Sequence, residues 1–336
     1  GKCPYKHPWD QECNLLLAYR RKARIPGRHV SKTKLAVAAS AALTYSYHYA
    51  LHPRQIWDST LGYPGEGHDS YSPTTVMTFN ARGLCKRGRL AALLAEANRR
   101  DIHILLIQEH NWKRRHAPYV LSTSKRARFE PCVAYVGTGG SGGAAVFISK
   151  DAASIDMSDM RSHYALKGGV AKVSLSLHGT KHSIASVYAP VHPYLRKHFF
   201  SQLARSGCIS TDTIVGGDWN CVADINIDVH TTSGSAYSNS GSAALESIIA
   251  HRGLTDIYRL INGQERSYSR HGSTIYTRLD RIYARRYNSP WRWVEVRHDA
   301  TAFRTEWASD HLPVIATLET TTQRAPTVAE AKIDPN

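Results

Sequence analysis

The sequence predicts an α/β sandwich in which two mixed β-sheets pack face to face and helices cover their outer sides. Apolar runs of strand length outnumber helical patterns and are interleaved with them along the chain. The chain has 336 residues, of which 42% are hydrophobic, so it can bury the large core that two packed sheets require.

A strand–helix–strand unit opens the predicted domain. Residues 76–80 form a short β-type run, and the apolar residues of segment 89–99 fall on one helical face. Residues 102–108 are apolar enough for a strand that is buried on both sides.

The rest of the pattern contains more strands than helices. Leu195, Phe199 and Leu203 recur every four residues, which predicts a helix over 194–206, and a second helix is predicted over 243–251. The glycine-rich run 137–143 lacks the Gly-Lys-Ser/Thr ending of a phosphate-binding loop, so it predicts a hairpin turn. Strands are predicted over residues 132–137, 144–149, 170–177, 183–189, 213–215, 279–284, 291–296 and 313–318.

Changes in composition divide the chain into three parts. Residues 1–72 form a basic extension that ends in a linker rich in Pro and Gly, residues 73–320 form the main domain, and residues 321–336 form a polar tail. The uncharged segment 35–51 is shorter than the roughly 20 apolar residues that cross a bilayer, so a buried or surface-lying helix is predicted and no membrane partner is expected.

The charge balance favours a polyanionic partner. The chain carries 43 Lys and Arg against 27 Asp and Glu, a net charge of +16. Such an excess favours nucleic acid, because binding a phosphate backbone releases counterions, although a merely soluble basic protein is the competing interpretation. The six cysteines show no Cys-x-x-Cys pairing, which indicates reduced thiols and a nuclear or intracellular protein.

Polar residues follow several predicted strands directly. Asn80, Glu109 and Asp218 each come after an apolar β-type run, and Asp310 and His311 precede the last one. Each residue alone would be explained as a turn or cap. Together they predict metal-assisted attack on a phosphate ester, in which a cation offsets charge, a base activates water and donors stabilise the phosphorus centre.

Six motifs in order resemble the endonuclease/exonuclease/phosphatase superfamily over residues 75–319. They are Asn-Ala-Arg-Gly-Leu at 80–84, Leu-Ile-Gln-Glu at 106–109, Tyr-Ala-Pro at 188–190, Gly-Asp-Trp-Asn at 217–220, Arg-Leu-Asp-Arg-Ile-Tyr at 278–283 and Ser-Asp-His at 309–311. The resemblance implies a DNase I-like, four-layer α/β/β/α sandwich. Segments 188–203 and 278–283 are most similar to the apurinic-like endonuclease domain of LINE-type (non-LTR) retrotransposons.

The resemblance also implies roles for the metal site. Glu109 matches the carboxylate that binds Mg²⁺, which Mn²⁺ could replace, and Asn80 would help to hold the metal or the phosphate. Asp310 matches a further acidic position near the metal.

The resemblance implies catalytic roles for five further residues. Asp218 would position or deprotonate the attacking water, and Asn220 would orient that water and the phosphate. His311 would donate to the scissile phosphate while Asp280 orients its imidazole, and Tyr188 would donate its hydroxyl.

Basic residues outline a path for DNA. Lys113, Arg114 and Arg115 follow the metal glutamate closely, and Arg270 lies in a loop that, in similar endonucleases, projects near the DNA. A solvated loop is the competing interpretation for each of them.

Two positions depart from the repair-type pattern. Arg82 stands where an acidic residue is usual, and Val191 stands where an asparagine is usual. Both departures weaken an abasic-site repair role more than a retroelement role.

The resemblance implies a DNA endonuclease that nicks one strand and leaves a 3′-hydroxyl, as in target-primed retrotransposition. A reverse transcriptase, which this chain does not contain, would extend that end. The alternatives are a phosphoesterase of the same fold that acts on RNA, abasic DNA or a small ester, and a non-catalytic nucleic-acid-binding relic.

Overall fold

The computed structural model of the chain describes residues 73–137, 140–232, 237–285, 291–300 and 309–320. The basic extension, its predicted helix over 35–51 and the polar tail lie outside the described residues. Among the described helices, none combines the length and apolar character needed to cross a membrane.

Fifteen strands are described, and most of them belong to two large sheets. In chain order they are β1 (Thr74–Asn80), β2 (Ile104–Gln108), β3 (Phe129–Ala134), β4 (Ala144–Ser149), β5 (Ile155–Ala165), β6 (Val170–Leu177), β7 (Thr180–Tyr188), β8 (Thr213–Asp218), β9 (Val229–Thr231), β10 (Leu254–Asp256), β11 (Arg270–His271), β12 (Ile275–Thr277), β13 (Asp280–Arg285), β14 (Trp291–His298) and β15 (Val314–Thr320).

Each large sheet has six strands and mixed direction. The first has the order β14-β15-β1-β2-β4-β3, and the second has the order β10-β13-β8-β7-β6-β5. One parallel pair lies at the centre of each sheet, β1 with β2 and β7 with β8. The carboxyl ends of both pairs are where polar residues were predicted to gather.

Six α-helices are present among the described residues. They are α1 (Arg89–Arg99), α2 (Ala117–Arg126), α3 (Pro193–Arg205), α4 (Ile225–Asp228), α5 (Ser242–His251) and α6 (Ile257–Asn262). Short 3₁₀ turns occupy Arg114–His116 and Leu166–Gly168.

Three hydrophobic clusters separate four layers. The first fills the space between the two sheets, with Leu106 of β2 and Ile184 of β7 among its members. The second packs Leu93 of α1 against the outer side of the first sheet, and the third packs Phe200 of α3 against the outer side of the second. The predicted four-layer α/β/β/α sandwich is therefore confirmed.

A small third sheet lies outside the sandwich. It joins β11, β12 and β9 in antiparallel register. Arg270 of β11 also forms an isolated bridge with His311, so this sheet is tied to the segment that precedes β15.

Most predicted elements are present within a few residues of their expected bounds. Helix Arg89–Arg99 and strands Ala144–Ser149 and Val170–Leu177 begin and end as predicted, and β3 and β4 form the predicted antiparallel hairpin. The structure adds α2 and β5, which had not been predicted. Seven of the ten residues of α2 are Ala, Pro, Ser, Thr or charged, and β5 is a largely exposed edge strand, so neither shows a clear apolar period.

Candidate active site

The candidate site lies at the end of the sandwich where both central parallel pairs finish. Asn80, the last residue of β1, is paired with Gln108, the last residue of β2. In the other sheet, Tyr188 of β7 and Asp280 of β13 both pair with Asp218 of β8, so these three side chains start from one row across three adjacent strands.

Two glycines allow β8 to deliver Asp218 to this row. A Cβ atom on Gly217 would lie 2.0 Å from the carbonyl oxygen of Val187, and one on Gly216 would lie 2.6 Å from Cδ1 of Leu106 in the facing sheet. No larger residue fits either position without displacing backbone or core. Close packing therefore requires the two glycines that precede Asp218, independently of any chemistry.

A glycine-rich loop fixes the backbone around Glu109. Glu109 has a positive φ of 54°, and its N–H donates to the carbonyl oxygen of Gly143 at 2.9 Å. The N–H of Gly142 donates to Oδ1 of Asn111 at 2.6 Å. Left-handed backbone is unfavourable for a non-glycine residue, so these contacts offset a cost of about 1–2 kcal/mol.

Asn80 separates two carboxylates. Its Nδ2 donates to Oε1 of Glu109 at 2.9 Å and to Oδ2 of Asp218 at 2.8 Å. Its Oδ1 accepts the backbone N–H of Arg82 at 3.1 Å. In this arrangement the amide acts as a donor that bridges the acids, and its oxygen is engaged elsewhere.

Tyr188 reaches the same glutamate from the other sheet. Its hydroxyl donates to Oε1 of Glu109 at 2.9 Å. Burial, followed by the negative charges of Glu109 and Asp218, raises the pKa of Tyr188 far above its ordinary value. The hydroxyl is therefore protonated at any working pH and serves as a donor.

Asp218 is a buried carboxylate with a weakened acidity. Burial and then the negative charge of Asp280 raise the pKa of Asp218 to about 6. The backbone N–H of Asn220 donates to Oδ1 of Asp218 at 2.9 Å, and Nδ2 of Asn220 donates to the carbonyl oxygen of Ala189 at 2.9 Å. A carboxylate with a pKa near neutrality is suited to proton transfer.

His311 is held by Asp280 and faces Asp218. Its Nδ1 lies 2.7 Å from Oδ2 of Asp280, and its Nε2 lies 3.9 Å from Oδ2 of Asp218. Burial alone would lower the pKa of His311, but the charges of Asp280 and Asp218 raise it to about 9. The ring is therefore an imidazolium at neutral pH, with Nε2 as the donor that remains for a ligand.

Two serines brace this pair. Oγ of Ser309 donates to the carbonyl oxygen of Asn80 at 2.8 Å and accepts the N–H of His311 at 3.1 Å. Oγ of Ser269 accepts the backbone N–H of Asp280 at 2.9 Å. The histidine is thereby tied to β1 through Ser309, and the aspartate is tied to the segment before β11 through Ser269.

Asp310 forms salt bridges with two arginines. Its Oδ1 accepts Nη1 of Arg82 at 2.9 Å, and its Oδ2 accepts Nε of Arg270 at 3.1 Å. Both of its oxygens are thus engaged by guanidinium groups.

The side chains surround an open cavity of about 320 Å³. The lining residues are Arg82, Glu109, Val191, Arg196, Asp218, Asn220, Tyr237, Arg270, Leu279, Asp310 and His311. Most of the residues selected from the sequence for metal binding and catalysis therefore border one space, while Asn80, Tyr188 and Asp280 support it through direct hydrogen bonds.

Sequence reasoning gave no site role to five of the lining residues, which are Arg82, Val191, Arg196, Tyr237 and Leu279. Arg196 is 5% exposed, and its guanidinium donates to the carbonyl oxygens of Val191 and Ser240, so it shapes the rim. Tyr237 and Leu279 complete the wall. The other four lie within or beside the ordered motifs and could have been found there, whereas no pattern in the sequence marks Tyr237.

The predicted basic path is only partly at the cavity. Arg270 lines it, whereas Lys113, Arg114 and Arg115 lie outside its lining. Arg114 and Arg115 belong to the 3₁₀ turn that follows the buried Trp112, and Lys113 caps that turn. Arg114 and Arg115 are exposed, which suits contact with an extended ligand. Their role in nucleic-acid binding stays a prediction.

The donor set is suited to a cation. Possible ligand atoms of Asp218, Asp280 and His311 lie within 4.8 Å of one another, so this buried group could hold a metal ion. Glu109 offers a second place, because its Oε1 takes both hydrogen bonds described above and its carboxylate lines the cavity. Hard cations such as Mg²⁺ accept one or two carboxylate oxygens and keep several waters.

A two-sheet sandwich with carboxylates and a histidine gathered at its strand ends defines the class of phosphoesterases built on this fold. The chain belongs to the Endonuclease/Exonuclease/phosphatase family, whose model matches residues 77–311. Enzymes of this family hydrolyse phosphate esters and generally depend on divalent metal ions. No curated protein matches the chain.

Solved structures share the fold at low sequence identity. An AP endonuclease from Archaeoglobus fulgidus is 19% identical with a TM-score of 0.58, over 72% of this chain and 98% of that one. The endonuclease domain of TRAS1, a telomere-specific non-LTR retrotransposon, is 16% identical with a TM-score of 0.51, over 75% and 100%. A 3′-5′ exonuclease from Neisseria meningitidis is 16% identical with a TM-score of 0.59, over 74% and 100%.

Proposed function

We propose that the protein is a Mg²⁺-dependent DNA endonuclease that nicks one strand and leaves a 3′-hydroxyl. The observation that carries the proposal is the convergence of Glu109, Asp218 and His311, each from a different strand end, on one open cavity. These groups meet the needs of diester hydrolysis, namely a place for a cation, a base and a donor.

Glu109 would hold the metal. Asn80 and Tyr188 both donate to its Oε1, so the carboxylate is fixed before a ligand arrives. Bound Mg²⁺ would offset the negative charge on a phosphate oxygen and on the leaving oxygen.

Asp218 would position and deprotonate the water. Its raised pKa makes it a better base than an ordinary aspartate, and Asn220 holds one of its oxygens in place through its backbone N–H. The water oxygen joins phosphorus as the bond to the 3′ oxygen breaks, which leaves a 3′-hydroxyl and a 5′-phosphate.

His311 would stabilise the charge that develops on the phosphate. Its Nδ1 is occupied by Asp280, so the proton on Nε2 is directed away from that pair toward the cavity. A fixed, charged donor that lines the cavity contributes more than a solvated one, because it need not reorganise during the reaction.

Charge and exposed rings favour DNA over a small ester. The chain carries a net charge of +16, and Arg82 and Arg270 border the cavity. Beyond Val191 on the cavity wall, Tyr194 at the start of α3 is 74% exposed and stacks on His192. An exposed ring close in sequence to a residue of the cavity wall is suited to stacking on a base.

The retroelement interpretation rests on the motifs at 188–203 and 278–283. It would place the enzyme in the nucleus beside a reverse transcriptase that extends the nicked strand. The fold alone is shared equally by repair enzymes, so the substrate must be decided by experiment.

Nicking of supercoiled plasmid tests the proposal. The wild type should convert it to the open circle with Mg²⁺ or Mn²⁺ but not with EDTA, and Asp218→Ala and His311→Ala should abolish the conversion. Asp159→Ala and His163→Ala, which alter exposed residues of β5, are matched controls that should nick normally.

Other outcomes favour the alternatives. Binding of plasmid without nicking under any metal would indicate a nucleic-acid-binding relic. Preferential cleavage of RNA, of an abasic duplex or of a small phosphodiester would assign the same site to that substrate.

A further inference from the structure

Arg82 occupies a position in the site that its sequence context did not predict. It follows Asn80 by two residues, adopts a positive φ of 45° and donates its backbone N–H to the Asn80 side chain. Its side chain is 51% exposed and lines the cavity. A cation thus stands where the motif leads one to expect an acid.

Asp310 holds this guanidinium next to the catalytic imidazole. Oδ1 of Asp310 accepts Nη1 of Arg82 at 2.9 Å, and the same oxygen lies 3.9 Å from Nε2 of His311. Arg82 therefore reaches the space that Nε2 faces, with the rest of its donors available to a ligand.

Two guanidinium groups face one carboxylate at this side of the cavity. Arg82 and Arg270 share the single carboxylate of Asp310, so this group of three side chains carries one positive charge in excess. Phosphodiesters gain negative charge as water attacks, and a guanidinium matches that charge with two directed donors.

We propose that Arg82 is a catalytic residue that binds a non-bridging oxygen of the scissile phosphate, oriented by Asp310, and that Asp310 serves as an arginine anchor rather than a metal ligand. This inference rests on the proposed phosphodiesterase function. It assigns two tasks to different residues of the cavity, with the cation at Glu109 and the guanidinium beside Asp310 and His311.

The competing role for Arg82 is contact with a neighbouring phosphate. That contact would be equal in the ground state and the transition state, so its loss would raise KM and leave kcat unchanged. A contact with the reacting phosphate strengthens as charge develops, and its loss lowers kcat.

The test compares Arg82→Gln with the wild type in steady-state plasmid nicking. We expect kcat to fall about 100-fold with KM little changed, and Arg82→Lys to recover part of the loss. Arg87→Gln removes the same charge from an exposed position of the same loop outside the cavity lining, and it should behave as the wild type. A normal kcat for Arg82→Gln, or a loss confined to KM, would overturn the proposal.

A second experiment measures metal affinity in the absence of catalysis. Mn²⁺ titration monitored by electron paramagnetic resonance should give the wild-type affinity for Arg82→Gln and Asp310→Asn, and a weakened affinity for Glu109→Gln. Loss of Mn²⁺ affinity in Asp310→Asn would make Asp310 a ligand and contradict its role as an anchor.

A double-mutant cycle tests the coupling. If Asp310 acts through Arg82, then Asp310→Asn should lower kcat in the wild type but add little in the Arg82→Gln background. Full additivity would show that the two residues act separately. Failure of the wild type to cleave any phosphodiester would instead refute the proposed function itself, which the plasmid assay reveals independently.

Discussion

The 2.7 Å contact between Nδ1 of His311 and Oδ2 of Asp280 joins the segment before β15 to the first residue of β13. Because Asp280 lies in one sheet and His311 enters the other, the pair also spans the two halves of the sandwich.

This contact predicts an alkaline limit for activity. The charges of Asp280 and Asp218 raise the pKa of His311 to about 9, so the imidazolium donor should be lost as the pH rises through that value. Asp280→Asn removes the negative charge of Asp280, so the pKa of His311 should fall and the alkaline limb of the kcat profile should move toward neutral pH. A limb at the same pH in both proteins would contradict the assignment of His311.

The same pair should influence stability in a defined direction. A histidine whose folded pKa lies above its unfolded value of 6.5 stabilises the native state below that pH. The contribution is lost as the pH rises through the folded pKa of about 9, so any stability deficit of Asp280→Asn should shrink at high pH.

Glu109→Gln is predicted to uncouple metal binding from DNA binding. The neutral amide keeps the shape but removes the charge that would hold Mg²⁺. Calorimetric titration with Mn²⁺ should show weakened binding, while filter binding of duplex DNA in EDTA should be unchanged. Glu130→Gln, on the half-exposed surface of β3, is the matched control.

Tyr194→Ala is predicted to weaken DNA binding without altering the fold. Stacking of one base on an exposed ring contributes about 1–3 kcal/mol, which corresponds to a Kd increase of roughly 5-fold to more than 100-fold. Tyr164→Ala removes a ring that is 52% exposed on β5, away from the cavity lining, and should leave Kd unchanged. Fluorescence anisotropy with a labelled oligonucleotide in EDTA measures both variants, and equal affinities would exclude the stacking role.

Arg278→Ala is predicted to be strongly destabilising. Its buried guanidinium donates to Asp228 through Nε at 2.7 Å and pairs with Asp256 through Nη1 at 2.7 Å. Removing it leaves Asp256 without its guanidinium partner and Asp228 with Arg259 alone, so we expect a loss of about 3–5 kcal/mol. Urea denaturation should show this loss of stability. Arg285→Ala, at the exposed last residue of β13, is the control and should change the free energy of unfolding by no more than about 0.5 kcal/mol.

Because His110 is buried, we predict that the native state loses stability as the pH falls. Burial lowers the pKa of His110 to about 4, and its Nδ1 accepts the backbone N–H of Trp112 at 2.9 Å, which requires a neutral ring. A depressed folded pKa gives stability above 6.5 that is lost as the pH falls, up to about 3 kcal/mol by pH 4. The stability deficit of His110→Gln should therefore narrow between pH 7 and pH 4. A constant deficit would mean that the ring does not titrate in this range.

Much of the fold could be predicted because its central strands and first helix have strong apolar patterns. The bounds of α1 and β6 were predicted to the residue, because the buried residues of each element recur at the period of a helix or of a strand. The edge strand β5 could not be found, because most of its residues are exposed and carry no pattern. Strand β8 was predicted too short, because its Gly-Gly pair has no β propensity and extends only because the two sheets approach there.

The site was predictable as a set of residues but not as a network. The ordered motifs identify Glu109, Asp218 and His311, which do share a cavity. The hydrogen bonds that make Asn80 a bridge and Asp310 an anchor depend on contacts across more than 130 residues of chain. No local pattern encodes such contacts, because they arise only when both sheets are assembled.

The order of strands in the first sheet has a consequence for biosynthesis. That sheet takes its first four strands from the beginning of the described domain and its last two, β14 and β15, from the end. Ser309, Asp310 and His311 enter only with that closing segment, after every other site residue has been translated. A nascent or prematurely terminated chain therefore lacks the imidazole and the arginine anchor, so we expect the proposed nuclease activity to be absent until β15 has been synthesised and has joined the sheet.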